Sequence, residues 1–190
     1  MRYRVTMTIQ QKIRMTVEDY LVWAEGQPGR YELVDGEPMR MAAERARHVI
    51  VKGRVFRALE EAVGRAGLAC EVFTDGMTVK IDAHTAREPD ASVQCAIKQD
   101  LDQMILPAPV IVVEVASPSN PKMDTQTKLT EYFTVPSIQH YLIVLPADPA
   151  VIHHQRDGEG LRTLIIKSGE VRFDPPGFSM PIAGLWPQEN

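Results

Sequence analysis

The chain has 190 residues, 44% of them hydrophobic and 24% charged, enough for a single domain over 1–190 whose core needs no staples. A net charge of −4 argues against a protein that coats nucleic acid by bulk attraction, but not against an enzyme acting on phosphates through a local site. No apolar run approaches the ~18 residues of a membrane span. The opening MRYRVTMTIQQKIRMT also lacks the continuous apolar region and small-residue cleavage site of a secretion signal, so a cytoplasmic protein with no membrane partner is expected.

Residues 1–14 are expected to be an extended or flexible N-terminus. Thr16 then caps a short helix with acidic residues in its first turn, ended by Gly26, Pro28 and Gly29. RYELVDGEPMRMA, Arg30 to Ala42, predicts a hairpin turning at Asp35-Gly36. The longest helical pattern runs from Ala46 to Ala66 and stops at Gly67. Val51, Val55, Phe56, Leu59, Ala62 and Val63 form its apolar stripe, and Arg47, Arg54, Arg57 and Arg65 take the opposite side. His48 and Lys52 fall inside the stripe. Either they meet a carboxylate cluster beneath the helix, or His48 bonds a backbone carbonyl while Lys52 snorkels to water.

CEVFTD and MTVKID (Met77 to Asp82) are strand candidates, and EPDASVQC (Glu88 to Cys95) is a short strand introduced by Pro89. Cys70 and Cys95 match no metal or redox spacing and are expected as reduced, buried thiols. PVIVVEVA is a central strand covered on both faces, with Glu114 on the face of Val110, Val112 and Ala116, and Ile111, Val113 and Val115 on the other. Asp124 to Val135 is helical with Asp124 as candidate cap. Its Asp124, Lys128 and Tyr132 lie on one ridge, either as an exposed pair or with Lys128 reaching back to Glu114. QHYLIVLP is a buried strand, and VIHHQ and LRTLIIK flank the turn Asp157-Gly158-Glu159-Gly160. His153 and His154 point to opposite faces of their strand and cannot easily chelate one ion. The C-terminal FDPPGFSMPIAGLWP either wraps the core or makes a contact in a homodimer. This order predicts an α+β (α/β) mixed sheet with one parallel crossover from PVIVVEVA to HYLIVLP.

A glutamate inside PVIVVEVA costs several kcal/mol to bury without a partner. Glu114 sits near the C-terminal end of its strand, where functional groups gather in α/β sheets. Asp90, after Pro89, is a second acid on a short strand. The two are either solvated or arginine-bridged independently, or share a divalent cation. Mg²⁺ would suit the latter, since it binds one or two carboxylates and keeps several waters.

Together, Glu32 of RYELVDGE, His48, Asp90 of EPDASV, Glu114 of VVEVASPS, and Lys128 with Tyr132 of KLTEY resemble the Uma family of bacterial putative restriction endonucleases in the PD-(D/E)XK superfamily. The resemblance spans about Met15 to about His153. It implies a restriction-endonuclease-like mixed sheet flanked by helices, and a divalent metal site in which Asp90 is the PD aspartate and Glu114 the acid of the (D/E)XK element. Ala116 stands where the superfamily lysine belongs, and the resemblance implies that Lys128 on the following helix replaces it. Glu32 matches the acid of the family's first hairpin, and His48 a histidine opening its long helix.

The expected function is that of an endonuclease hydrolysing DNA phosphodiesters with Mg²⁺ (or Mn²⁺) on Asp90 and Glu114. Lys128 orients water or stabilises developing charge, Glu32 is a further ligand, His48 an orienting group or phosphate contact, and Tyr132 positions Lys128. The alternatives are a non-catalytic nucleic-acid- or protein-binding module on the same fold, and hydrolysis of another phosphate ester.

Overall fold

The computed structural model describes residues 14–96, 100–117 and 122–187, with residues 122–125 described by backbone alone. The expectation for the N-terminus therefore lies, save for Arg14, outside the described residues. Helix α1 spans Val17–Glu25, its Thr16 side chain accepting a hydrogen bond from the Asp19 amide as the sequence suggests. Strands β1 (Tyr31–Val34) and β2 (Glu37–Arg40) form the expected hairpin. Asp35 and Gly36 both adopt positive φ, 56° and 81°, as the twist-matched two-residue turn requires. Gly36 is further constrained, since a Cβ there would lie 2.5 Å from that of Arg14.

Helix α2 runs Ala46–Ala66 and ends at Gly67 in the left-handed conformation. Strands β3 (Cys70–Thr74), β4 (Val79–Lys80), β5 (Ala86–Arg87), β6 (Ala91–Cys95) and β7 (Pro109–Val115) follow. Helix α3 (Lys122–Tyr132) leads to β8 (His140–Leu145), β9 (Ala150–Asp157), β10 (Gly160–Ile166), β11 (Glu170–Phe173) and β12 (Phe178–Pro181). The central sheet has the order β10-β9-β8-β7-β6-β3, in which only β7 and β8 are parallel. Their connection through α3 is the expected crossover. A smaller sheet, β2-β1-β5-β4, carries α1 on its own cluster of Val17, Tyr20, Leu33 and Ala86.

The main core lies between the central sheet and α2, with Val51, Val55 and Leu59 against Ile111, Val113 and Val115. The opposite face packs Val112, Tyr141 and Ile143 against Tyr132 of α3. No helix among the described residues is long and apolar enough to cross a membrane.

Several expectations need correction. MTVKID is a strand only at Val79–Lys80, because Thr78 bonds instead to the loop through Met104 and Leu106. Strand β5 has no counterpart among the expected elements, and β6 begins at Ala91 rather than Glu88. Helix α3 starts before Asp124, so that residue lies in the first turn and is not the cap. Its side chain is outside the described residues. Val110 packs with the α2-side core, not with Val112, because the β6–β7 register shifts between Val93 and Gln94. The C-terminal segment wraps the core as the hairpin β11–β12, burying Val171, Phe173, Met180, Ile182 and Leu185. His153 and His154 find separate partners, His140 at 2.9 Å and Thr163 at 2.8 Å.

The cysteines are not reduced thiols. Cys70 and Cys95 are register partners across β3 and β6 and form a disulfide. With a sequence separation of 25 it closes a loop whose loss of unfolded-state entropy is worth about 3.5 kcal/mol. Urea denaturation should show Cys70→Ser/Cys95→Ser less stable than the oxidised protein by that amount. Dithiothreitol should lower the wild type to the variant's midpoint, and an unchanged midpoint would deny the cross-link any role in stability.

Candidate functional site

Antiparallel register is what brings the two key acids together. Ala91 pairs with Val113 and Ser92 with Val112, so the next step along the ladder sets Asp90 opposite Glu114. The Asp90 carboxylate closes that end of the ladder by accepting the Val115 amide at 2.7 Å. Asp90, at the bend between Pro89 and β6, is buried at 6% exposure.

Each acid is met by an amine from a different helix. Lys52, in the apolar stripe of α2, lies 3.0 Å from Asp90 Oδ1, 2.6 Å from Asp75 and 2.7 Å from Glu44. Arg30 extends this group to Asp75 and Glu88. On the other side of β7, Lys128 of α3 is buried, with its Nζ 3.0 Å from both Glu114 Oε1 and Glu32 Oε1. Arg87 completes that side by donating to Glu32 Oε2 at 2.9 Å and, with two nitrogens, to Glu131. Tyr132 donates its hydroxyl to Glu114 Oε1 at 2.7 Å. Buried charges persist in such a network because nearly every one has an opposite partner and satisfied hydrogen bonds.

His48 lies between the two groups. Its Nε2 is 2.6 Å from the Val115 carbonyl oxygen, which can only accept, so Nε2 carries the proton. The same nitrogen is 3.8 Å from Asp90 Oδ2, and the buried Nδ1 is 3.4 Å from Glu44 with no hydrogen bond.

The electrostatics separate the two glutamates. Burial pushes the Glu114 carboxyl up to about 7, and the Asp90 and Glu32 charges add to it, against the pull of Lys128 and Tyr132. For Glu32 burial is overcome, and Lys128 and Arg87 hold the group below its ordinary value. Burial opposes the charged form of Lys128 and Lys52, yet the surrounding carboxylates raise both ammonium groups above the ordinary lysine value. Both lysines therefore act as fixed cations at neutral pH, not as bases. The carboxylates of Glu32, Glu44, Asp75, Glu88, Asp90, Glu114 and Glu131 outnumber the cations Arg30, Lys52, Arg87 and Lys128 that contact them. Asp90 and Glu114 present hard oxygen donors of the kind small divalent cations take. No group of three or more His, Cys, Asp or Glu side chains is arranged around a common ion position among the described residues.

Of the residues singled out by sequence, Glu32, Glu114 and Lys128 share direct contacts, and Asp90 and His48 join them through β7. Both alternatives for the α2 stripe hold in part: His48 bonds a carbonyl, while Lys52 meets carboxylates. Tyr132 positions Glu114 and not Lys128, because its hydroxyl reaches Oε1 directly. Both oxygens of Glu32 accept from protein donors, Oε2 from Arg87 and Oε1 from Lys128. Arg30, Glu44, Asp75, Arg87, Glu88 and Glu131 join the network without being among the residues the sequence singles out. Glu131, three residues after Lys128, was visible as a helix neighbour, but nothing local marked Arg87, whose two-residue strand gives no periodic signal.

A family model, Uma2, described as putative restriction endonuclease, matches residues 17–183. Two proteins of Synechocystis sp. (strain ATCC 27184 / PCC 6803 / Kazusa) are similar. Uncharacterized protein slr1290 is 27% identical over 146 residues, covering 76% of each chain. Uncharacterized protein sll1609 is 27% identical over 165 residues, covering 84% of this chain and 92% of its own. The crystal structure of a putative nuclease belonging to DUF820 from Anabaena variabilis ATCC 29413 superposes with a TM-score of 0.69 at 15% identity, over 90% of this chain and 97% of that one. The likeness is one of fold, α+β and restriction-endonuclease-like.

Proposed function

The chain belongs to the Uma2 family of putative restriction endonucleases, and from that premise we propose that it is a metal-dependent endonuclease hydrolysing phosphodiester bonds in DNA. The observation that carries the reading is the opposed pair Asp90 and Glu114, with the buried Lys128 ammonium against Glu114. Asp90 and Glu114 would hold Mg²⁺ or Mn²⁺. The fit rests on the hard oxygen donors, the excess of carboxylates around them, and a Glu114 carboxyl driven up to about 7 by burial and by its acidic neighbours, a cost that a bound cation relieves. Held there, the ion would supply a more acidic bound water and positive charge for the phosphate.

The remaining steps belong to the protein's own groups. Lys128, kept protonated by Glu114 and Glu32, offsets negative charge that develops on the phosphate oxygens. Glu32 and Arg87 hold Lys128 in place. Tyr132 fixes the Glu114 carboxylate, and Lys52 with the Val115 amide fixes that of Asp90. His48, with its Nε2 proton on the Val115 carbonyl, is placed to steady the end of β7.

Incubated with supercoiled plasmid, the protein is expected to nick it with Mg²⁺ or Mn²⁺ and to stop with EDTA. Intact plasmid and intact circular single-stranded DNA in both metals, from folded protein, would overturn the reading. One observation favours a second reading: Lys52 and Lys128 already compensate the two acids in part, as in a non-catalytic module on this fold. Calorimetry that finds no Mg²⁺ or Mn²⁺ binding while DNA binding persists would select it.

A further inference from the structure

A cavity of about 510 Å³ opens beside the carboxylate cluster. Its walls come from three places that the fold joins: Arg45, Arg47 and His48 at the start of α2, Ala116 and Ser117 just after β7, and Leu145 to Asp148 just after β8. It therefore lies outside the carboxyl ends of two adjacent parallel strands, the crevice in which open sheets bind ligands. His48 lines the cavity and also bonds the Val115 carbonyl, with the same nitrogen 3.8 Å from Asp90 Oδ2, so one side chain touches both the cavity and the candidate acid pair.

The chemistry of the walls is split. Ala116, Leu145, Pro146 and Ala147 offer an apolar surface, and the volume falls in the range of small-molecule sites, ~300–1,000 Å³. Arg45 and Arg47 are exposed at the rim. The one acid there, Asp148, faces Lys167 at 3.6 Å and is thereby offset. A flat ring with apolar faces, carrying a phosphate within reach of two guanidinium groups, matches both halves.

We infer that this cavity is a nucleobase subsite, which takes an unstacked base next to the scissile phosphate while Arg45 and Arg47 engage its backbone. The inference rests on the nuclease reading of the neighbouring cluster and names its substrate class: DNA with an unpaired nucleotide at the cleavage position. A base held in a duplex stack cannot enter without first unstacking, which is easiest at single-stranded or mismatched positions.

The test uses ¹⁵N-labelled protein in EDTA, titrated with thymidine 5′-monophosphate and separately with inorganic phosphate. Saturable shifts of the Ala116, Ser117 and Ala147 amides are expected with the nucleotide and not with phosphate. Ala147→Trp, at an exposed position facing the cavity, should weaken nucleotide binding at least tenfold, and its own spectrum reports whether it is folded. Identical shifts with both probes would reduce the site to an anion patch and overturn the inference. So would the absence of saturable shifts, or wild-type affinity in Ala147→Trp. Because metal is absent and no cleavage is read, the result does not depend on whether Asp90 and Glu114 support hydrolysis.

Discussion

Glu114→Gln is expected to abolish DNA cleavage and, at the same time, to make the folded protein more stable above neutral pH. The loss of activity should be on the order of a thousandfold, the scale set by removing one group arranged for transition-state charge. The gain in stability follows from the carboxyl's surroundings. Its ordinary value is 4.5, and burial together with Asp90 and Glu32 pushes it up to about 7 in the folded protein. The folded state thus binds that proton more tightly than the unfolded chain does. Wild-type stability should fall as pH rises from about 4.5 to about 7 and stay low above that, by about 3 kcal/mol in all. Glutamine does not titrate, still offers an oxygen to Tyr132, and leaves Lys128 paired with Glu32. Urea denaturation between pH 4 and 8.5 should therefore show the variant gaining on the wild type through that window, in metal-free buffer. A difference between the two proteins that is flat with pH would mean that Glu114 ionises without penalty. The electrostatic case for a cation at this position would then fail.

Lys128→Met should be the most damaging single change to stability. It removes the amine that contacts both Glu32 and Glu114 and leaves two buried carboxylates facing one another, with Arg87 on Glu32 alone. Losing one partner of a buried ionic network costs roughly 3–5 kcal/mol, and cleavage should disappear with it. Two controls separate charge from packing. Lys128→Met/Glu114→Gln should recover much of the stability, because it removes one of the stranded charges together with the amine. Lowering the pH should also narrow the deficit of the single variant, since a protonated Glu114 no longer needs the ammonium. Lys128→Arg keeps the charge but not the compact shape, so it should fold better than the methionine variant without restoring full activity. A Lys128→Met variant within about 1 kcal/mol of wild type would place the amine among ordinary surface ion pairs. It could then hold no role beside the acids.

Much of the secondary structure was legible residue by residue. The two-residue turn at Asp35-Gly36, the Thr16 cap and the stop at Gly67 are local chemistry, and each occurs where the pattern puts it. The site announced itself through inconsistency: Glu114 in an aliphatic strand, and His48 and Lys52 in an apolar helical stripe. Charged residues at positions that must be buried demand partners, and that demand is visible without knowing who the partners are.

Their identity came only from the fold. Periodicity determines which face a side chain takes, but register between strands far apart in the chain determines what it meets. That register set Asp90 opposite Glu114, paired Cys70 with Cys95 against the expectation of free thiols, and moved Val110 to the other face at a single shift. Arg87, on a strand of two residues, had no pattern to betray it, and Tyr132 found Glu114 across the crossover, not Lys128 on its own helix. The sequence by itself determined that buried charge would have to be neutralised near the ends of β7, α2 and α3. The tertiary structure alone decided the pairings, because the energy of a buried charge depends on groups brought near it from distant parts of the chain.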